Sequence, residues 1–224
     1  MQRLFLTDHG DPVSAVTADE AKELLKRASL SSSPGVSEMV ESGARSVIEQ
    51  VYGMLGRSGA NAPVLIVAGT GYTSAIGFAL GRHLANHGLT VSLVDGRGQY
   101  ADERERQKKA FINSSGHYYD DIATVRNEIE TRSLEFGLIV DAVLGGGVYG
   151  AIAEETEQLL RLIVDLSSMK EGDKKTRVLS LEVPSGLDPT TGAPGPVTVQ
   201  ADATVGFAFP LTGHSVPQCG SVAI

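Results

Sequence analysis

Three segments of the chain join an apolar run to residues that could handle a ligand. Val64-Leu65-Ile66-Val67-Ala68 runs into Gly69-Thr70-Gly71, and Leu138-Ile139-Val140 runs into Asp141 and then Gly145-Gly146-Gly147. Arg177-Val178-Leu179-Ser180-Leu181 runs into Glu182 and then Pro184-Ser185-Gly186. Glycines let a ligand approach the backbone, and a helix opening just after such a turn offers free amides to an anion such as phosphate. Acidic residues beside those turns could move protons. The first segment also approaches a dinucleotide fingerprint, with Asp95 ending the next apolar run where a ribose-binding acid would stand. Its third glycine would fall at Ser74, and the next glycine is Gly77. A dinucleotide site and a plain tight turn both stay open on this segment.

Other residues invite chemistry less strongly. His83 and His87 lie four apart on one helix and could share a metal, but no third ligand is near in sequence, so a solvated helix face is expected. His214 reads as a loop residue between Pro210 and Pro217. Gly213-His214-Ser215-Val216-Pro217 lacks the final glycine of a nucleophile elbow. The charged stretch from Asp102 to Lys109 reads as an exposed helix.

The elements that must position these residues follow from periodicity. Residues 1–16 read as an extended lead-in. Thr17 with Glu20 forms a capping box, and Ala21, Leu24, Leu25 and Ala28 follow at helical spacing. Val36, Met39, Val40, Gly43, Ala44, Val47, Ile48, Val51 and Leu55 trace one apolar face of a long amphipathic helix. The run from Val64 to Ala68 does not alternate, as expected of a parallel strand covered on both faces. A loop from Gly69 to Gly77 is expected next, then a helix to about His87 stopped by Gly88. Strands follow at Leu89 to Asp95, Leu138 to Asp141, Arg177 to Glu182 and Ala203 to Phe207. Helices lie at 102–112, at Ile122 to Leu134, and around Ile152, Leu159, Leu160, Ile163 and Val164. Tyr118 and Tyr119 fall on a short strand or loop, and Lys170 to Lys175 is a charged turn. Alternating strands and helices predict an α/β fold with a mainly parallel sheet, whose ligand lies beyond the carboxyl ends of the strands.

Composition narrows the function classes. Acidic residues outnumber basic ones by 27 to 19, giving a net charge of −8, which disfavours a phosphate backbone as partner. With no tryptophan and 5% aromatics, stacking on single-stranded nucleic acid is not expected. Cys219 is the only cysteine, which leaves no intrachain disulfide or cysteine metal cluster and fits a reducing compartment. No apolar run is long enough for a membrane helix, and Met1 to Val16 lacks the pattern of a secretory signal. A cytoplasmic location is expected, with the mitochondrion left open.

Asp141-Ala142-Val143-Leu144-Gly145 and Glu182-Val183-Pro184-Ser185-Gly186-Leu187-Asp188, continuing to Thr191-Gly192, stand in order after Met39-Val40-Glu41-Ser42-Gly43 and before Ala201-Asp202-Ala203-Thr204-Val205. In this order they resemble the NAD(P)H-hydrate epimerase family, the YjeF N-terminal domain, from about Val16 onward. The resemblance implies one Rossmann-like three-layer αβα domain over residues 1–224, often as a homodimer. It implies epimerisation of the hydrated cofactors NADHX and NADPHX with a bound potassium ion. Asp141 and Ser185 match that family's potassium ligands, and Thr73 stands in place of its potassium-binding asparagine. Gly145 to Gly150 match the segment along the substrate, with Gly145, Gly146, Gly147 and Val148 the expected contacts. Glu182 replaces the aspartate of Asp-x-Pro-Ser-Gly and is the expected catalytic carboxylate and a ligand contact, one methylene longer. The family's first loop, Gly-x-Gly-Asn-Asn-Gly-Gly-Asp-Gly, departs here: Gly69 and Gly71 are kept, while Tyr72, Thr73, Ser74, Ala75 and Ile76 follow as the remaining expected contacts. Leu211 stands where many members have lysine. These changes imply weakened or redirected epimerase chemistry on a nucleotide-type pocket. Two other readings stay open: a catalytically silent dimeric scaffold, as in mRNA-decapping enhancers, to which Gly81 to His87 is similar, and a Rossmann-type NAD(P)-binding protein.

Overall fold

The structure, a computed structural model, describes residues 4–7, 9–30, 35–56, 62–96, 102–132, 135–147, 149–171 and 174–224. A short antiparallel hairpin, β1 (Leu4–Leu6) and β2 (Pro12–Ser14), precedes helix α1 (Ala18–Leu30). The Thr17 box forms as expected: Thr17 N–H donates to Glu20 Oε2 at 2.7 Å and Glu20 N–H to Thr17 Oγ1 at 3.3 Å. Helix α2 (Val36–Leu55) buries Val40, Ala44, Val47, Val51 and Leu55, the face set out by its sequence period.

The remaining elements alternate. They are β3 (Val64–Ala68), α3 (Tyr72–Asn86), β4 (Val91–Asp95), α4 (Asp102–Ile112), β5 (His117–Tyr119), α5 (Ile122–Arg132), β6 (Leu138–Ala142) and α6 (Glu154–Ser168). A small hairpin, β7 (Lys170–Glu171) and β8 (Lys174–Lys175), leads to β9 (Arg177–Leu181), β10 (Ala203–Val205) and β11 (Ser221–Ala223). Seven strands form one sheet in the order β11-β10-β9-β6-β3-β4-β5, and every pairing in it is parallel. The chain winds outward in one direction from β3 and in the other from β6. The point between these two strands is where a doubly wound sheet opens a crevice.

Alternate residues of β3 feed the two outer layers. Val64, Ile66 and Ala68 join α2, α3 and Phe111 of α4, while Leu65 and Val67 join Val125 of α5 and the apolar face of α6. Burial on both faces explains why the strand sequences are continuously apolar.

The structure corrects four expectations. Helix α3 begins at Tyr72, not after Gly77: Gly71 is extended at φ −93°, caps the helix, and accepts Ala75 N–H at 3.3 Å. Gly77 is instead a helical residue at the closest approach of α3 to the sheet, where a Cβ would lie 2.7 Å from Ala142 Cβ. The helix from Asp102 is not simply exposed, since Arg104 and Gln107 are buried. The strand at Ala203 stops at Val205, and β11, unforeseen, extends the sheet edge. Leu134, the expected end of α5, lies outside the described residues.

Candidate active site

The turns after β3, β6 and β9 meet at the carboxyl edge of the sheet, as their sequences predicted. Glu182, just past β9, is their meeting point. Thr73 Oγ1 donates to Glu182 Oε2 at 2.8 Å. The Gly146 amide also bonds to this carboxylate. A Cβ on Gly145 would collide with both the Thr73 hydroxyl and the Glu182 carboxylate, and one on Gly146 would lie 2.8 Å from Glu182 Oε1. Only glycine lets the loop after β6 lie this close to the acid. Burial pushes the Glu182 pKa up, while the Thr73 and Gly146 hydrogen bonds pull it back. A carboxyl raised in this way holds or releases a proton nearer to neutral pH than an exposed one.

The Glu182 backbone is held in an unusual conformation, with φ at +69°. For a residue with a Cβ this is sparsely populated and costs about 1–3 kcal/mol. Its N–H donates to Val205 O at 2.7 Å. His214 Nδ1 accepts Leu211 N–H at 3.1 Å, so Nε2 carries the proton and donates to Glu182 O at 2.6 Å. Burial lowers the His214 pKa, in keeping with this neutral tautomer. The sequence placed His214 in a loop and missed this support. Its spacing from Leu211, inside a short 3₁₀ turn, is the signal that could have shown it.

Asp141 and Ser185 also meet, but in a closed arrangement. Asp141 Oδ1 accepts Ser185 Oγ–H at 2.6 Å and Val143 N–H at 3.3 Å, and Oδ2 accepts Ser185 N–H at 2.8 Å and Ser180 Oγ–H at 2.9 Å. Burial raises the Asp141 pKa against these bonds. Ser185 Oγ in turn accepts Leu144 N–H at 2.9 Å. The residues matched to potassium ligands therefore do not fit the ion in this arrangement. A carboxylate has about four lone-pair positions, and all of Asp141's are taken by protein donors. Thr73 is bonded to Glu182 and not to Asp141 or Ser185. Among the described residues, no three His, Cys, Asp or Glu side chains cluster as a metal site.

The other expected contacts separate into two sets. Gly145 lies against Thr73 and Glu182, Gly146 against Glu182, Gly147 is exposed beside them, and Gly71 and Tyr72 are exposed at the start of α3. Ser74, Ala75 and Ile76 turn into the core. Ser74 Oγ donates to Ala142 O at 2.9 Å, Ala75 is fully buried, and Ile76 Cδ1 lies 3.2 Å from the Cβ position of Gly43. Helical geometry from Tyr72 onward, which the sequence reading took for loop, sends these side chains away from a ligand. Val148 lies outside the described residues.

Asp95 is also committed elsewhere. It pairs with the buried Arg104, with Lys108 Nζ at 2.8 Å and with Tyr118 Oη at 2.8 Å. Arg104 Nε donates to Gly69 O at 2.8 Å and its guanidinium lies over the Phe78 ring. A ribose diol would have to displace these partners. Arg104 was missed because its neighbours from Asp102 to Lys109 are charged throughout. His83 is not on a solvated face either: its Nε2 lies 2.9 Å from Glu41 Oε2 of α2, beside the Arg82–Glu41 pair at 2.6 Å.

A seven-stranded parallel sheet with glycine-rich turns and a raised carboxyl at its carboxyl edge defines a Rossmann-like fold. The chain belongs to the YjeF-related protein N-terminus family, whose model matches residues 36–213. The NAD(P)H-hydrate epimerase of Dehalogenimonas lykanthroporepellens is 29% identical over 210 residues, which cover 93% of this chain and 80% of that one. The bifunctional NAD(P)H-hydrate repair enzyme Nnr of Methanothermobacter thermautotrophicus is 30% identical over 205 residues, 88% of this chain. That match spans only 35% of the bifunctional enzyme. The crystal structure of yeast ynu0, YNL200c, superposes with a TM-score of 0.75 at 16% identity, covering 90% of this chain and 83% of that one. This last likeness is one of fold. No helix among the described residues is long and apolar enough to cross a membrane.

Proposed function

We propose that this chain is an NAD(P)H-hydrate epimerase-like enzyme whose crevice takes a hydrated nicotinamide nucleotide. The observation that carries the proposal is Glu182: a raised carboxyl at the switch-point edge of the sheet, held by Thr73 and Gly146 and braced through its backbone by His214. The hydrated ring carbon bears a hydroxyl and the ring nitrogen. Moving the hydroxyl proton to the nitrogen while the carbon–nitrogen bond opens leaves a carbonyl. Reclosure on its other face returns the proton and inverts the centre. Ionised Glu182 is the base that takes that proton and the acid that gives it back. Gly145 and Gly146 bring the backbone close to Glu182, and Tyr72 is exposed at the start of α3. No step of this proposal needs potassium. A two-copy assembly is part of the reading, and sedimentation velocity showing only monomer at high concentration would remove it.

The test offers purified protein an equilibrated NADHX epimer mixture and a dehydratase that consumes one epimer. The other epimer should drain well above its spontaneous rate. Drainage at the spontaneous rate, with and without potassium, would leave the dimeric scaffold as the better reading. NADH and its analogues should also raise the melting temperature by mass action.

A further inference from the structure

A depression of about 240 Å³ adjoins the crevice, lined by Ala18, Asp19 and Lys22 of α1 with Gly146, Gly147 and Tyr149. Helix α1 lies outside the residues that the family model matches. It is nevertheless fixed to the site. Val16 N–H donates to Pro210 O at 2.9 Å, Thr212 N–H to Val16 O at 2.9 Å, and Ala18 N–H to Thr190 Oγ1 at 3.0 Å. Ala18 and Ala21 are buried beneath it. Leu211, which bridges to Val16, reaches within 3.0 Å of the Cβ position of Gly146. The start of α1 is therefore placed by the same segment that carries His214.

Lys22 and Asp19 stand one helical turn apart on the wall of this depression. Among the described residues neither side chain has an ion-pair or hydrogen-bond partner, and neither has the Gly147 amide. Gly146 joins the two spaces: it meets the Glu182 carboxylate and also lines the depression. A ligand whose ring reaches Glu182 thus has its attached arm beside α1. An ammonium that shares a depression with an exposed glycine backbone suits phosphate oxygens. A carboxylate beside that ammonium repels a bare anion but accepts hydroxyl donors. Together they suit a sugar phosphate better than either a free phosphate or a sugar alone.

We propose that α1 supplies a phosphate subsite in which Lys22 and the Gly147 amide bind the nucleotide's phosphate and Asp19 accepts a ribose hydroxyl. This rests on the nucleotide reading above and adds residues to it from outside the matched family segment.

Calorimetric titration tests it with nicotinamide mononucleotide and the phosphate-free nicotinamide riboside. The wild-type protein should bind the mononucleotide more tightly than the riboside. Lys22→Gln should weaken the mononucleotide about tenfold, the scale of one charge-assisted hydrogen bond, and leave the riboside unchanged. Lys22→Arg should keep most of the affinity. Equal mononucleotide affinity in wild type and Lys22→Gln would overturn the subsite while leaving the nucleotide pocket standing. If wild type binds neither compound, inorganic pyrophosphate decides. Binding lost in Lys22→Gln would uphold the subsite and sink the nucleotide reading, and no binding would sink both.

Discussion

Asp141 and Glu182 end neighbouring strands of one sheet, β6 and β9, and the protein treats the two carboxyls in opposite ways. Asp141 is fully buried and receives four protein donors, so every lone-pair position is filled. Glu182 is half-buried and receives a hydroxyl and an amide, which fill only two of its lone-pair positions. Both carry raised pKa values, and in both burial is the leading cause. A perturbed pKa therefore does not by itself separate the structural acid from the one proposed for catalysis. The count of donors does: Asp141 staples the Pro184-Ser185-Gly186 turn to β6, and Glu182 has capacity left for a substrate.

The largest effect that tests this contrast belongs to Asp141. Asp141→Ala leaves two buried hydroxyls and two buried amides without their acceptor, and should cost roughly 3–5 kcal/mol in urea unfolding. A loss below about 1 kcal/mol would break the contrast. Glu182→Gln should behave differently. The amide can still accept from Gly146 and donate to Thr73, and a buried charge is removed, so stability should hold or rise by about 1 kcal/mol near neutral pH.

The sign of the pH dependence sharpens the same point. A carboxyl raised by folding keeps its proton in the native state at pH values where the unfolded chain has released it. Stability therefore falls as pH rises from the ordinary carboxylate range through the raised native value. Across that window Glu182→Gln should gain melting temperature relative to wild type, because its share of the loss is gone while the contributions of Asp141 and of His214, whose lowered pKa acts with the opposite sign, are common to both proteins. Thr73→Val removes a hydrogen bond that favours the ionised Glu182, so the acid limb of the pH–rate profile should move to higher pH. The smallest effect is expected at Tyr72, whose ring is exposed: Tyr72→Ala should change stability by less than about 0.5 kcal/mol, and any larger effect should appear in ligand affinity.

Much of this arrangement was legible in the sequence. The doubly wound order follows from continuous apolar runs separated by helical periods, and the edge where Gly69, Asp141 and Glu182 gather follows from that order. The meeting of Asp141 with Ser185 was also foreseen, although as metal ligands and not as a saturated hydrogen-bond cluster. What stayed hidden depends on contacts distant in the chain. Gly77 was read as the end of a loop because a glycine packed between helix and sheet has the same local sequence as one in a turn. Arg104 sits in a segment without an apolar stripe, and only Asp95 and Gly69, on other elements, draw it inward. The sequence puts Ser74, Ala75 and Ile76 in a ligand loop because it places the helix start six residues late. Helix α1 could be seen, but not that it stands against Gly146 and Gly147.

The central claim is that Glu182, and not Asp141, moves the proton. It is tested most directly by the rate of NADHX epimer interconversion in Glu182→Gln, measured beside wild type with the stereospecific dehydratase in excess. The account predicts a folded, nucleotide-binding variant whose rate is lower by about 10²–10⁴-fold, the usual contribution of a positioned acid–base group. A Glu182→Gln protein that epimerises as fast as wild type would contradict it.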